Sequence, residues 1–387
     1  MKFNSSLNDL FYVNRFSETL KLKNQYNGTY SLLDLGVGED KSLPDPRIIE
    51  TLVSSLKMPK NHKYTDRGIN ELLQSAKDYL KRRFDIYLSD DEIALTMGSK
   101  QGLSILPSFI VDEGLSVVIT DPGYIVLGKV STLFKAQLIA LPLEEKNNYY
   151  PDFSLLSEEE WKKVSILSLN YPNNPTGQVA NKAFYEEVIA LAKKYDFLVV
   201  NDAAYLEFTY NEKPLSILSI EGAKDVAVEL YTLSKSHNMT GYRIGFIAGN
   251  KDVIAKFLKY VDYYDSGQFA PIEYAASVAL QNDDIVDRLK AKYYFRLENL
   301  VDILNENGIE ARIPNGTFYL YVKVPSCFKS SFEFAKCLLN DVGILVIPYS
   351  NAGEYVRLSV TFETVNTFNF YMSFNKRIKE FVEKYHI

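Results

Sequence analysis

The sequence predicts an α/β protein in which a mainly parallel sheet is covered by helices on both faces, joined to a smaller α+β domain. Three observations carry that expectation. Apolar runs of strand length recur with stretches of helical periodicity between them, the pattern of βαβ units. Several of these runs read as buried strands, as expected where helices cover both faces of a sheet. After about residue 285 the character changes to one long charged helical stretch, followed by strands and a further helix.

The elements follow in order. "EIALT" (92–96) is a strand leading into "SKQGLSILPSFIV", whose apolar positions fall at helical spacing. "SVVITDPGY" (116–124) reads as a buried strand ending in a turn, and "AQLIALPL" (136–143) as another. "VSILSLNYPNNPTG" (164–177), a helical "FYEEVIALAKKYD" (184–196), "FLVVNDAAY" (197–205), "VAVELYTLSK" (226–235) and "RIGFIAG" (243–249) complete the large domain. The smaller domain holds the helical "DDIVDRLKAKYYFRLENLVDILNENG", the strand "FYLYVKVP", the helical "SSFEFAKCLLNDVG", and the strands "ILVIP" and "YVRLSV". The expected division is 1–44 for an N-terminal segment that joins the small domain and covers the cleft, 45–285 for the large domain, and 286–387 for the small one.

The chain has 387 residues, of which 47% are hydrophobic and 24% charged, with a formal net charge of -6. That balance suits a soluble enzyme and argues against a nucleic-acid-binding surface. "MKFNSSLNDLFYVNRFSETL" is too polar for the core of a signal peptide, and no apolar run approaches the length of a membrane span. Cys327 and Cys337 show no metal-ligand spacing, which fits a reduced, cytoplasmic protein. His62, His237 and His386 are scattered, so no metal site is expected.

Four loops at strand ends gather the chemistry. "TMGSKQG" (96–102) puts a glycine and a serine at a helix start, where exposed N–H groups and the helix dipole suit a phosphate, although Gly and Ser also serve there as ordinary caps. "YPNNPTG" (171–177) is either a plain turn or a rigid loop that points Asn174 into a cleft. In "VVNDAAY" (199–205) the carboxylate of Asp202 follows an apolar strand, and a buried carboxylate needs a cation or proton donor. The fourth loop, in "ELYTLSKSHNMTGYRIGF" (229–246), carries Lys235 between two apolar runs, with Arg243 just beyond. Taken alone, Lys235 is an ordinary solvated lysine. Taken with the other three loops, it completes a set that suits pyridoxal-phosphate chemistry: an amine for the aldehyde, a carboxylate for the ring nitrogen, and an arginine with a helix N-terminus for the phosphate.

"YPNNPTG", "NDAAY" and "TLSKSHNMTGYRIG", in that order, resemble the class I aminotransferases of the fold-type I pyridoxal-phosphate group. The resemblance covers nearly the whole chain, from "LDLGVGED" to "YVRLSV", and implies a seven-stranded sheet in the large domain. It implies that Lys235 is the Schiff-base lysine and the acid/base between Cα and the cofactor's C4′. Asp202 would bind the pyridinium nitrogen, while Tyr205 and Asn174 would bond the ring's 3-hydroxyl oxygen. Tyr124 would stack on the ring. Ser99 and Lys100 through their backbone, Thr232 and Arg243 would hold the phosphate, and Tyr64 would reach the phosphate of a neighbouring subunit in a homodimer. Arg357 would clamp the substrate α-carboxylate, a task for a planar bidentate donor, with Gly36, Gly38 and Asn174 lining the substrate pocket. The implied reaction moves an amino group between an α-amino acid and a 2-oxo acid, 2-oxoglutarate with glutamate, by a ping-pong route through the pyridoxamine form.

Three of these residues have plain alternatives: Tyr124 as a core tyrosine, Tyr64 as surface packing, and Arg357 as the partner of Glu354. The chain also departs from the family pattern. Many relatives carry a longer loop before "YVRLS" than "YSNAGE" (349–354), and they often carry serine where Thr232 stands. "DSGQF" (265–269) resembles the branch containing diaminopimelate, alanine and aspartate aminotransferases. The same fold also hosts β-lyases acting on C–S bonds, and ligand sensors that kept the fold, so these stand as the alternative functions.

Overall fold

The computed structural model describes residues 15–364 and 366–387. The first fourteen residues of the N-terminal segment expected over the cleft lie outside the described residues. The large sheet is built from β2 (Ile93–Thr96), β3 (Ser116–Asp121), β4 (Gln137–Pro142), β5 (Val164–Leu169), β6 (Leu198–Asp202), β7 (Ala227–Thr232) and β8 (Gly245–Gly249). These are the seven runs read as strands from the sequence. Their order across the sheet is β2-β8-β7-β6-β5-β3-β4. β8 alone runs against its neighbours β2 and β7; the other pairings in the sheet are parallel.

Side-chain alternation explains why the sheet needs cover on both faces. On β7, Ala227 and Tyr231 enter a core shared with the helices Asn70–Phe84, Lys182–Tyr195 and Ala270–Leu280. Val228 and Leu230, on the opposite face, enter a core shared with Ser99–Ile105, Val126–Ser131 and Lys251–Val261. The helical stretch expected from residue 99 breaks before Pro107, where a short second helix, Pro107–Ile110, begins. Proline has no N–H to continue the ladder, so this interruption follows from the sequence.

The second unit carries an antiparallel sheet of β9 (Tyr319–Lys323), β11 (Ile347–Tyr349) and β12 (Tyr355–Ser359), in the order β11-β12-β9. It also holds a parallel pair of β1 (Leu33–Asp34) and β10 (Ile344–Leu345). "ILVIP", expected as one strand, is thus split between two sheets. The N-terminal segment threads this unit: Leu35 N donates to Leu345 O at 3.0 Å, and Ser359 N donates to Leu35 O at 2.7 Å. A 24-residue helix, Asp283–Glu306, crosses between the units. Ile285 packs in the large core, whereas Tyr293 to Leu304 pack in the small one, so the boundary expected at residue 285 falls inside a continuous helix.

Candidate active site

The sheet topology places the predicted residues before any side-chain geometry is considered. In a parallel sheet the carboxyl ends of the strands share one edge. Asp202 is the last residue of β6, and Tyr124, Asn174 and Lys235 follow the ends of β3, β5 and β7. Arg243 precedes β8, and because β8 is reversed, its amino end lies at that same edge. A cleft of about 580 Å³ opens there between the two units. It is lined by Gly38, Ser99, Lys100, Tyr124, Asn174, Asp202, Tyr205, Thr232, Lys235, Arg243 and Arg357. Of the predicted set, only Gly36 and Tyr64 are outside the lining.

Lys235 stands on a single helical turn, Leu233–Ser236, which opens with Thr232 as its cap: Thr232 Oγ1 accepts from Ser234 N at 3.2 Å. The lysine Nζ donates to Gly38 O at 2.7 Å. Burial pushes its pKa down to about 8; Glu39 acts in the opposite sense, and Arg357 and Arg243 add to the lowering. Burial also governs Asp202, whose carboxyl is pushed up to about 7 against hydrogen bonds from Ala204 N–H and the Ser99 hydroxyl. Its Oδ1 is buried with no hydrogen-bond partner.

Arg357 is held by Asn174 Oδ1 and Gly36 O, each 2.8 Å from a guanidinium nitrogen, and it lies 4.1 Å over the Tyr319 ring. Its Nε is buried without a partner. Glu354, the alternative partner weighed from the sequence, instead accepts from Ser331 N. Gly36 therefore serves through its carbonyl. Asn174 is fixed in turn by Asn170, whose Oδ1 accepts from Asn174 N at 2.9 Å and whose Nδ2 donates to Asp202 O at 2.7 Å.

At the other end of the cleft Arg243 reaches Thr240 O at 2.8 Å, Met97 O at 3.2 Å and Ser234 Oγ at 3.4 Å. Gly98 makes this approach possible. A Cβ there would lie 2.5 Å from Arg243 Nη2, and its φ of +73° suits glycine. Ser99 and Lys100 open the helix that follows, so their N–H groups precede its first internal acceptors.

The cleft fits pyridoxal phosphate on features of this chain alone. The desolvated carboxylate of Asp202, with Oδ1 unpartnered, matches a protonated ring nitrogen. The cluster of Arg243, Thr232, Ser234 and the helix start matches a phosphate, and the desolvated amine of Lys235 matches an aldehyde between them. Tyr124, 37% exposed, lines the cleft and is not a core tyrosine. Tyr64 is 82% exposed and outside the cleft of its own chain.

Sequence reasoning missed Tyr319, Asn170, Ser234, Thr240, Val37, Ala204 and Glu39, which also line the cleft. Tyr319 bonds the Tyr205 hydroxyl at 3.0 Å, yet it is one of 28 tyrosines with no motif to mark it. Asn170 had a usable signal: like Asp202, it is a polar residue ending an apolar strand. Among the described residues there is no His/Cys/Asp/Glu cluster able to hold a metal, and no helix is long and apolar enough to cross a membrane.

Comparison with known proteins gives the family. The family model described as aminotransferase class I and II matches residues 30–368. An LL-diaminopimelate aminotransferase of Methanococcus maripaludis is 38% identical over 359 residues, covering 91% of this chain and 86% of the relative. A glutamate-pyruvate aminotransferase of Escherichia coli is 34% identical over 360 residues, covering 92% and 87%. An aminotransferase structure from Staphylococcus aureus superposes with a TM-score of 0.87 at 30% identity, covering 97% of this chain and 100% of the other. The chain belongs to the class I and II aminotransferases, fold-type I enzymes whose cofactor is pyridoxal phosphate.

Proposed function

We propose that the enzyme transfers the α-amino group of a dicarboxylic amino acid of the diaminopimelate kind, with 2-oxoglutarate and glutamate as the second pair, in two half-reactions of a ping-pong cycle. The relatives named LL-diaminopimelate aminotransferase support the choice of substrate. The observation that carries the mechanism is the desolvated amine of Lys235, in one cleft with Asp202, whose Oδ1 has no partner, and the buried guanidinium of Arg357.

Pyridoxal phosphate supplies an aldehyde for the amine and a protonated ring that withdraws electrons from Cα. The residues do the rest. With its pKa at about 8 rather than 10.5, Lys235 is unprotonated at pH 7 in roughly 10% of molecules rather than ~0.03%. Its free Nζ would bond the cofactor's aldehyde when no substrate is bound and, once the substrate amine has taken that place, would carry the proton from the substrate Cα to the cofactor's C4′. Asp202 keeps a proton on the ring nitrogen, since a cation beside it relieves the cost of its own burial. Arg357 would orient the α-carboxylate through its guanidinium, while Asn174 and Tyr205 would bond the ring oxygen. Arg243, Thr232 and the Ser99–Lys100 backbone would hold the phosphate.

Residues 45–285 act as the cofactor-binding domain, with 286–387 and the N-terminal segment up to residue 44, of which 15–44 are described, as the unit that bears Arg357 and closes the cleft. The active unit is a homodimer in which Tyr64 of the partner subunit completes the phosphate site; the exposure of Tyr64 in the single chain supports that role. The test is spectroscopic. LL-diaminopimelate, added without an oxo acid, should abolish the visible absorbance of the loaded enzyme, and 2-oxoglutarate should restore it. A spectrum unmoved by dicarboxylic amino acids would overturn the substrate reading.

A further inference from the structure

We propose that Gln268 is a positioning residue for the cofactor phosphate, acting through Arg243; this rests on the reading that Arg243 holds the phosphate. Gln268 does not line the cleft. Its Nε2 donates to Arg243 O at 2.6 Å and to Tyr242 O at 3.0 Å. Arg243 has a φ of +58°, in the left-handed region that residues with a Cβ enter at a cost. The two bonds from Gln268 cap the carbonyls on either side of that bend and hold it open.

The grip is part of a closed circuit. The arginine's far end donates to Met97 O at 3.2 Å. Met97 N donates to Gln101 Oε1 at 2.7 Å, and Gln101 Nε2 donates to Asp265 Oδ2 at 3.0 Å. Asp265 Oδ1 then accepts from Gly267 N at 2.9 Å, next to Gln268. Arg243 is thus held at its backbone and at its guanidinium by one ring of bonds, with Asp265 joining the two arms.

The same segment reaches outward. Thr65 Oγ1 donates to Gln268 O at 2.6 Å. The Thr65–Asp66 chain passes so close that a Cβ on Gly267 would lie 2.4 Å from Thr65 Oγ1. Thr65 neighbours Tyr64, the residue offered to a partner subunit. Gln268 therefore fixes this chain's own phosphate arginine with its side chain and the outward-facing tyrosine segment with its carbonyl. A hydrophobic residue at 268 keeps the second contact and loses the first.

The experiment compares apoenzyme affinities for pyridoxal phosphate and for pyridoxal, which lacks the phosphate, by fluorescence titration of wild type, Gln268→Leu, Gln268→Glu and Arg243→Ala. Loss of two neutral hydrogen bonds should raise the Kd for pyridoxal phosphate about tenfold in both Gln268 variants while leaving that for pyridoxal unchanged. An unchanged Kd for pyridoxal phosphate, or an equal loss for both ligands, would overturn the inference, since a merely structural defect does not discriminate the phosphate. Arg243→Ala separates the two levels. If it abolishes the preference for the phosphate ester and the Gln268 variants do not, only the role of Gln268 fails. If Arg243→Ala itself keeps the preference, the reading of Arg243 fails with it.

Discussion

Asp202→Asn should stabilise the apoenzyme while destroying its function, and the size of the effect follows from burial. Asp202 is 5% exposed, and the pKa of its carboxyl is pushed from 3.8 to about 7 by desolvation. A folded-state pKa raised above the unfolded value means that the native state prefers the protonated acid. The penalty is absent below the unfolded pKa near 4, grows as pH rises, and is complete above about pH 7. At 1.36 kcal/mol per unit, it is about 2 kcal/mol at pH 5 and roughly 4 kcal/mol at pH 8. Asparagine avoids it, at a cost of about 1 kcal/mol, independent of pH, for remaking the bonds to Ser99 and Ala204.

Urea denaturation of both apoproteins, followed through Trp161, provides the assay. Trp161 is the single tryptophan and is buried in the large-domain core. The advantage of Asp202→Asn should widen by about 2–3 kcal/mol between pH 5 and pH 8. Added pyridoxal phosphate should reverse the ranking, because it binds the folded wild type and supplies the missing cation. A gap that does not change with pH, or a wild-type apoprotein that is the more stable at pH 8, would refute the argument that Asp202 is an uncompensated carboxylate.

If Lys235 is both nucleophile and proton carrier, Lys235→Ala should lower transamination by roughly 10³–10⁴-fold or more; retention of the wild-type rate would end the assignment. The modification rate of Lys235 by an amine-selective reagent in the apoenzyme should reach half its plateau near pH 8, its lowered pKa, and an inflection above pH 10 would show an ordinary solvated lysine. Arg357→Ala should raise the KM for the amino acid by about 100-fold with a smaller effect on kcat, the loss expected for a buried bidentate partner; an unchanged KM would exclude a carboxylate clamp. Gly98→Ala should weaken pyridoxal phosphate binding by about tenfold, because a φ of +73° and a Cβ 2.5 Å from Arg243 Nη2 displace that guanidinium; direct titration of the apoenzyme reads the change.

Legibility in the sequence varied with how local each cause was. The seven strands of the large sheet lie where apolar runs predicted them, because strands covered by helices on both faces are mostly apolar, even with Asn201 and Glu229 buried within β6 and β7. "ILVIP" was less legible: five apolar residues carry no sign that Ile344 and Leu345 pair with β1 while Ile347 pairs with β12. The helix Asp283–Glu306 was readable as a helix but not as a bridge between two cores, since its periodicity is the same whichever core its apolar face meets.

In the candidate site the sequence by itself offered the chemical groups beside the strand ends, Lys235, Asp202, Asn174 and Arg243, because four polar loops following or preceding apolar runs stand out together where each alone reads as an ordinary turn or cap. Tertiary structure alone decided what surrounds them. It set Tyr319 under Arg357, turned the Gly36 carbonyl toward the guanidinium, occupied Glu354 with Ser331 N–H, and closed the circuit from Gln101 through Asp265 to Gln268. Those contacts join residues tens to hundreds of positions apart. The desolvation that tunes Lys235 and Asp202 is likewise a property of the closed cleft, because a pKa responds to the atoms that exclude water from a group, wherever in the chain they come from.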